Sequence, residues 1–211
     1  MVGRVSTTAL LGFTFVALLA VLTPGLDTTV TLRHALLGGR GAGAGAVLGI
    51  AAGCVLWGAA GALGLAALLA ASQTAYRALQ LLGAGYLIWL GGSALWRSLR
   101  RGRVPVAEVP TAGAGPGAAF RAGLVTNLLN PKIGAFYLSL LPQFVPAGAP
   151  AWGALLVATH VGIGVLWLGT VVLLASRARR LLLRERVRRW LDRATAGVLL
   201  GLGVAIVVDA R

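Results

Sequence analysis

The chain has 211 residues, 58% of them hydrophobic, with a mean hydropathy of +0.87. Its 19 basic and 5 acidic residues are clustered, and none lies between Gly41 and Tyr76. A soluble globule needs charge over its whole surface, and ~20 apolar residues suffice to cross a bilayer core, so the composition excludes an ordinary soluble domain.

The formal charge of +14 comes from 18 arginines and one lysine, mostly packed between apolar runs. That is the pattern of cytoplasmic loops beside anionic lipid, not of a stripe tracking a nucleic-acid backbone. Cys54 is the single cysteine, which excludes an intrachain disulfide and a thiolate metal cluster.

Charge-free apolar runs predict six spans. The first covers about Thr8 to Leu32 and is broken by Thr23-Pro24-Gly25. No convincing cleavage site precedes that break, so the segment reads as a retained membrane helix rather than a signal peptide. The second span runs from about Ala42 to Ala70, with Gly41, Gly45, Gly49 and Gly53 at four-residue intervals. They form a smooth face for close helix packing, within the chain or between subunits of a homo-oligomer. The third span runs from Ala75 to Trp96.

A Gly-, Pro- and Ala-rich stretch, about 97–119, follows as a cytoplasmic linker. The fourth span, Phe120 to Leu141, contains Pro131; the fifth covers Trp152 to Ser176 and the sixth Ala194 to Val208. Between the last two, Leu183, Val187 and Trp190 recur at helical spacing among arginines. This suits a helix lying at the membrane interface, serving as a topology anchor or binding a partner. Trp89, Trp96 and Trp152 read as interface anchors.

Alternate connections hold 3 and 15 arginines, and positively charged loops stay in the cytoplasm. Both termini are therefore expected outside a cytoplasmic (inner) membrane. The chain also matches itself: Pro24 precedes Trp57 by 33 residues, and Pro131 precedes Trp167 by 36. Cys54-Val55-Leu56-Trp57 is similar to Gly164-Val165-Leu166-Trp167. Pro24 lies nine residues from Arg33 and Pro131 ten from Arg121, which puts both roughly 15 Å deep, near the midplane. Three spans per half insert in opposite senses, as inverted repeats. The expected fold is one all-α domain over 1–211, with halves at about 8–96 and 120–208.

Asp27 is the only carboxylate expected at depth, where a charge costs at least ~2.5–3.5 kcal/mol. It either caps the half-helix restarting after the break, bonding N–H groups near Thr29 and Val30, or lines a polar cavity for an ammonium or a proton. Lys132, the sole lysine, sits beside Pro131 and suits pairing with Asp27 or with a substrate carboxylate. Pro24 and Pro131 each remove an N–H, leaving either kinks or backbone groups open to a ligand. Asn127 and Asn130 add hydrogen-bonding capacity or hold helices together. His160 relays protons or is a packing histidine. No phosphate-binding loop is present, so an ion gradient or the substrate's own gradient is the expected energy source. No cofactor is expected.

The stretches "TPGLD", "GGRGAGAGAVLGIAAGC", "LLGAGYLIWLGGSALWR" and "FRAGLVTNLLNPKIGAFYLSLLPQFV" together resemble the LysE/RhtB family of amino-acid exporters. The family pattern has Pro-Gly-Pro-Asp where this chain carries Leu26. The resemblance implies efflux of amino acids or related small metabolites by exchange with protons. It places Pro24, Gly25 and Asp27 in a first motif and Asn130, Pro131 and Lys132 in a second. Two other readings stay beside it: an exporter of another solute such as a metal ion, and a non-transporting membrane scaffold. An intramembrane enzyme is disfavoured because no nucleophile, base and metal set converges.

Overall fold

The computed structural model describes residues 7–72, 115–145 and 150–175, with isolated positions between 74 and 96 and between 190 and 208. No strand occurs among the described residues.

The first predicted span is two helices, α1 (Thr7–Leu22) and α2 (Leu26–Leu37), bent by 51° at the break. The cause is local: Pro24 has no N–H to continue the ladder and its ring clashes with the preceding turn. Gly38 then closes α2 by donating its N–H to His34 O at 2.8 Å, and Gly39, at φ +74°, turns the chain into α3 (Gly39–Ala71). Only glycine takes that left-handed conformation without strain.

The fourth span begins earlier than the sequence suggests. Pro116 occupies the first turn of α4 (Pro116–Leu128), where its missing N–H is harmless. The expected linker therefore ends before Pro116, not at Ala119. After Pro131 the chain continues as α5 (Pro131–Ala135), a π-helical turn over Phe136–Leu140, and α6 (Leu141–Phe144). Leu141 donates its N–H five residues back to Phe136 O, and Pro142 follows with no N–H of its own. The predicted fifth span corresponds to α7 (Pro150–Leu173). Described positions of the predicted third and sixth spans are helical. They touch, because a Cβ on Gly91 would meet Ala196 O and Leu200 Cγ, both at 2.9 Å. Most of the linker and of the arginine-rich 177–193 segment lies outside the described residues.

Among the described residues two helices are long and apolar enough to cross a membrane, three if the bent α1–α2 pair is one span. Their outer faces carry Leu11, Phe15, Leu48, Val55, Leu56, Leu166 and Leu173, all more than half exposed. A water-soluble monomer rarely shows apolar surface on this scale, whereas lipid is as apolar as leucine.

Inside, Phe13 packs on Phe136 and Phe144 with ring centroids 5.6 and 5.5 Å apart. Leu140, Leu156 and Trp152 complete this core. Trp152 is thus no interface anchor: it is 6% exposed, and its Nε1 donates to Phe144 O at 2.7 Å, closing the end of α6. Trp89 and Trp96 are exposed, as anchors would be.

The glycine ladder of α3 packs within the chain. A Cβ on Gly45 would run into the carbonyl of Pro116, one on Gly49 into that of Phe120, and one on Gly123 of α4 into that of Ala46. Backbone lies on backbone along α3 and α4. Gly49→Ala is therefore expected to force these helices apart and lower stability by about 1–3 kcal/mol. Thermal unfolding in detergent, compared with the same change at Gly117, where a Cβ meets nothing within 4 Å, checks it.

Candidate functional site

The two proline breaks meet and complete each other. Pro24 deprives Ala20 O of its helical donor, and the carbonyl of Thr23 lies in the gap before α2. Both are taken by Lys132, whose Nζ donates to Ala20 O at 3.0 Å and Thr23 O at 3.2 Å. An ammonium at the carbonyl end of α1 also complements its dipole. Across the site, Pro131 deprives Asn127 O in the same way. That carbonyl accepts from Asn130 N at 3.0 Å and from Trp57 Nε1 at 3.4 Å.

Asp27 stands where these breaks cross. Gly25, not Asp27, is the N-cap of α2, with its carbonyl accepting from Thr29 N and Thr29 Oγ1. Asp27 lies in the first turn of α2, where the positive helix end favours a carboxylate. Its Oδ2 accepts from Asn127 Nδ2 at 2.9 Å and its Oδ1 from Asn130 Nδ2 at 3.2 Å. Each amide is oriented by its other contacts. Asn130 caps α5, its Oδ1 accepting from Lys132 N at 3.1 Å. Asn127 is fully buried, and its Nδ2 also donates to Cys54 Sγ at 3.3 Å. Gly53 makes room for it, since a Cβ there would lie 2.5 Å from Asn127 Oδ1.

The six positions expected from the two motifs, together with Asn127, thus converge. Pro24 and Gly25 break the first span, Pro131 breaks the fourth, and Asp27, Asn127, Asn130 and Lys132 bond across the gap.

Asp27 and Lys132 line a cavity of about 40 Å³ between α1, α2, α3, α5 and α7. At ~10–15 Å³ per water it has room for about three or four waters and not for an amino acid. Its remaining walls are largely apolar, with Val47, Ile50, Ile133 and Val161 among them. His160 also reaches it. This histidine is 3% exposed, stacks on Phe136 at 4.4 Å, and shares a 2.8 Å hydrogen bond between Nδ1 and Tyr137 OH.

Sequence reasoning missed Cys54, Trp57 and Tyr137 as parts of the site. Trp57 carried a signal, since it recurs as Trp167 in the internal match. Cys54 and Tyr137 carried none, because only tertiary packing brings them to Asn127 and His160. Among the described residues no group of three or more histidine, cysteine, aspartate or glutamate side chains could hold a metal ion.

Apolar outer faces around a small, partly enclosed cavity define a multi-pass membrane protein with a half-buried carboxylate and ammonium between broken helices. Residues 18–210 match the LysE type translocators, and the chain belongs to that family. It is similar to the threonine efflux protein of Escherichia coli K12, 26% identical over 92% of this chain and 95% of that one. It is similar too to the membrane protein YrhP of Bacillus subtilis, 26% identical over 93% of this chain and 97% of the other. A third relative is the membrane protein YahN of Escherichia coli, 30% identical over 63% and 59% of the two chains. No solved structure matches it.

Proposed function

We propose that this translocator is a secondary exporter of amino acids or related small metabolites, driven by exchange with protons across the cytoplasmic membrane. The observation that carries the reading is the Asp27 carboxylate, held by two amides of the opposite break and facing the cavity it lines. Two of its roughly four lone-pair positions are taken by those amides, leaving acceptor capacity for an ammonium or a proton. The freed backbone around Pro24 and Pro131 and the ammonium of Lys132 are suited to the substrate carboxylate. The threonine efflux relatives support the substrate class.

On this reading the chain has six spans in two inverted halves, with both termini outside and the site near the midplane. The cavity has no room for an amino acid, so the surrounding helices move apart to admit substrate and close again, which is alternating access. Among the described residues no group of side chains resembles the cage of oxygens or thiolates suited to a metal ion.

The test is efflux from proteoliposomes loaded with labelled amino acids, with and without an imposed pH gradient. Selective efflux that rises with an inwardly directed proton gradient is expected. Efflux of no amino acid from folded protein would overturn the substrate class, and gradient-independent efflux would overturn proton exchange.

A further inference from the structure

The two breaks are chemically alike but differently served. Asn127 O, which loses its helical donor to Pro131, accepts from Asn130 N at 3.0 Å and, at 3.4 Å, from a tryptophan of the other half, Trp57. The ring of Trp57 lies on Gly134, where a Cβ would be 3.3 Å from Cζ2 and Cη2. The carbonyl orphaned by Pro24, Ala20 O, is held by Lys132 instead. Trp167, which occupies the place of Trp57 in the internal match, has its Nε1 buried without a hydrogen-bond partner among the described residues.

A buried donor left unpartnered costs about 1–3 kcal/mol. Helical side chains lean toward the N-terminus of their helix, so Trp57 on α3 leans from its position back toward Asn127. In an inverted repeat the same lean carries Trp167 on α7 back toward the first break. The packing differs between halves as well. On α3, Gly45, Gly49 and Gly53 are pressed against α4, whereas on α7 a Cβ at Gly162, Gly164 or Gly169 would meet nothing within 4 Å.

We propose that Trp57 and Trp167 are paired positioning residues that cap the two proline-orphaned carbonyls in alternation during transport. In the state described here, Trp57 holds Asn127 O and so aims the Asn127 amide at Asp27. In the opposite state, Trp167 takes Ala20 O, Lys132 is released toward the cavity, and Trp57 gives up Asn127 O. The inference rests on the inverted-repeat exporter reading. It adds an exchange of donors, which assigns the unpartnered indole a partner.

The native single cysteine reports on the exchange, because Cys54 lines the cavity and bonds Asn127. Oriented proteoliposomes are treated with a membrane-impermeant maleimide from either side, and the ratio of Cys54 labelling rates is measured without substrate. Trp57→Phe keeps a ring but loses the bond that favours the present state. Trp167→Phe removes the buried unpartnered donor and favours it. The ratio is expected to shift in opposite directions, by about 2- to 12-fold in each variant, the size of one net hydrogen bond of 0.5–1.5 kcal/mol. Should Trp57→Phe fail to insert, Gly134→Ala displaces the same ring and is expected to shift the ratio in its direction. Shifts in the same direction, or a shift in one variant only, would overturn the proposal, as would an unchanged ratio in both folded proteins. Labelling does not depend on flux. Opposite shifts in a protein that exports no amino acid would leave the exchange standing and remove only the substrate class.

Discussion

Replacing Asp27 with asparagine is expected to reduce pH-gradient-driven efflux by about 10- to 100-fold and to leave the residual flux insensitive to external pH. The reason lies in the two amides facing it. Asn127 and Asn130 each donate to a different carboxylate oxygen. An asparagine at 27 offers one oxygen and one NH2, so one of the two donors must face another donor. Hydrogen bonds to a charged group contribute about 1.5–3 kcal/mol, and tenfold in rate is about 1.4 kcal/mol. The variant also has no group left at 27 to carry a proton across the cycle. Proteoliposome flux at several external pH values separates these effects. A lower rate with its pH response intact would move the coupling proton elsewhere, and a wild-type rate and response would remove Asp27 from the mechanism.

The second large effect is expected at Lys132. Lys132→Met preserves length and apolar packing but leaves the carbonyls of Ala20 and Thr23 without their ammonium. Each buried carbonyl left unsatisfied costs about 1–3 kcal/mol, and away from water the break at Pro24 has few other donors. The variant is expected to unfold at lower temperature in detergent and to lose efflux. Lys132→Arg tests the geometry, because a planar guanidinium keeps the charge but fits differently into a gap shaped for an ammonium. It is expected to recover stability more than transport. Wild-type unfolding of Lys132→Met would show that the two carbonyls do not depend on this side chain.

Lys132 also shows how far the sequence could be read. A lone lysine beside a proline, in a chain that otherwise uses arginine, marked it as special, and pairing with a charge was the natural expectation. The carbonyls it holds are as predictable in principle, since Ala20 stands four residues before Pro24. Their distance from residue 132 along the chain hid the connection. Asp27, Asn127 and Asn130 were legible because polar groups in apolar spans must find partners. Their mutual arrangement was not, because the spacing of two breaks 107 residues apart says nothing about which amide faces which oxygen.

The glycine ladder was legible as a packing face but not as an internal one. A four-residue repeat fixes the face of α3, while the facing backbone of Pro116 and Phe120 belongs to a helix whose start the linker composition obscured. Trp152 misled for a different reason. A tryptophan at the end of an apolar run ordinarily sits among lipid headgroups, and here α6 ends within reach of its indole.

Because each break is completed by a donor from the other half, neither half is a finished unit when it is made. The chain up to α4 is synthesised before Lys132 exists, so α1 is made with two carbonyls that must wait for a residue more than a hundred positions later. The second half likewise inserts its proline break against a Trp57 already in place. On the inverted-repeat reading, biogenesis is expected to divide into insertion of each half and a later locking that requires both. A chain truncated before Lys132 is expected to leave the carbonyls of Ala20 and Thr23 without their ammonium, and its first helix unlocked.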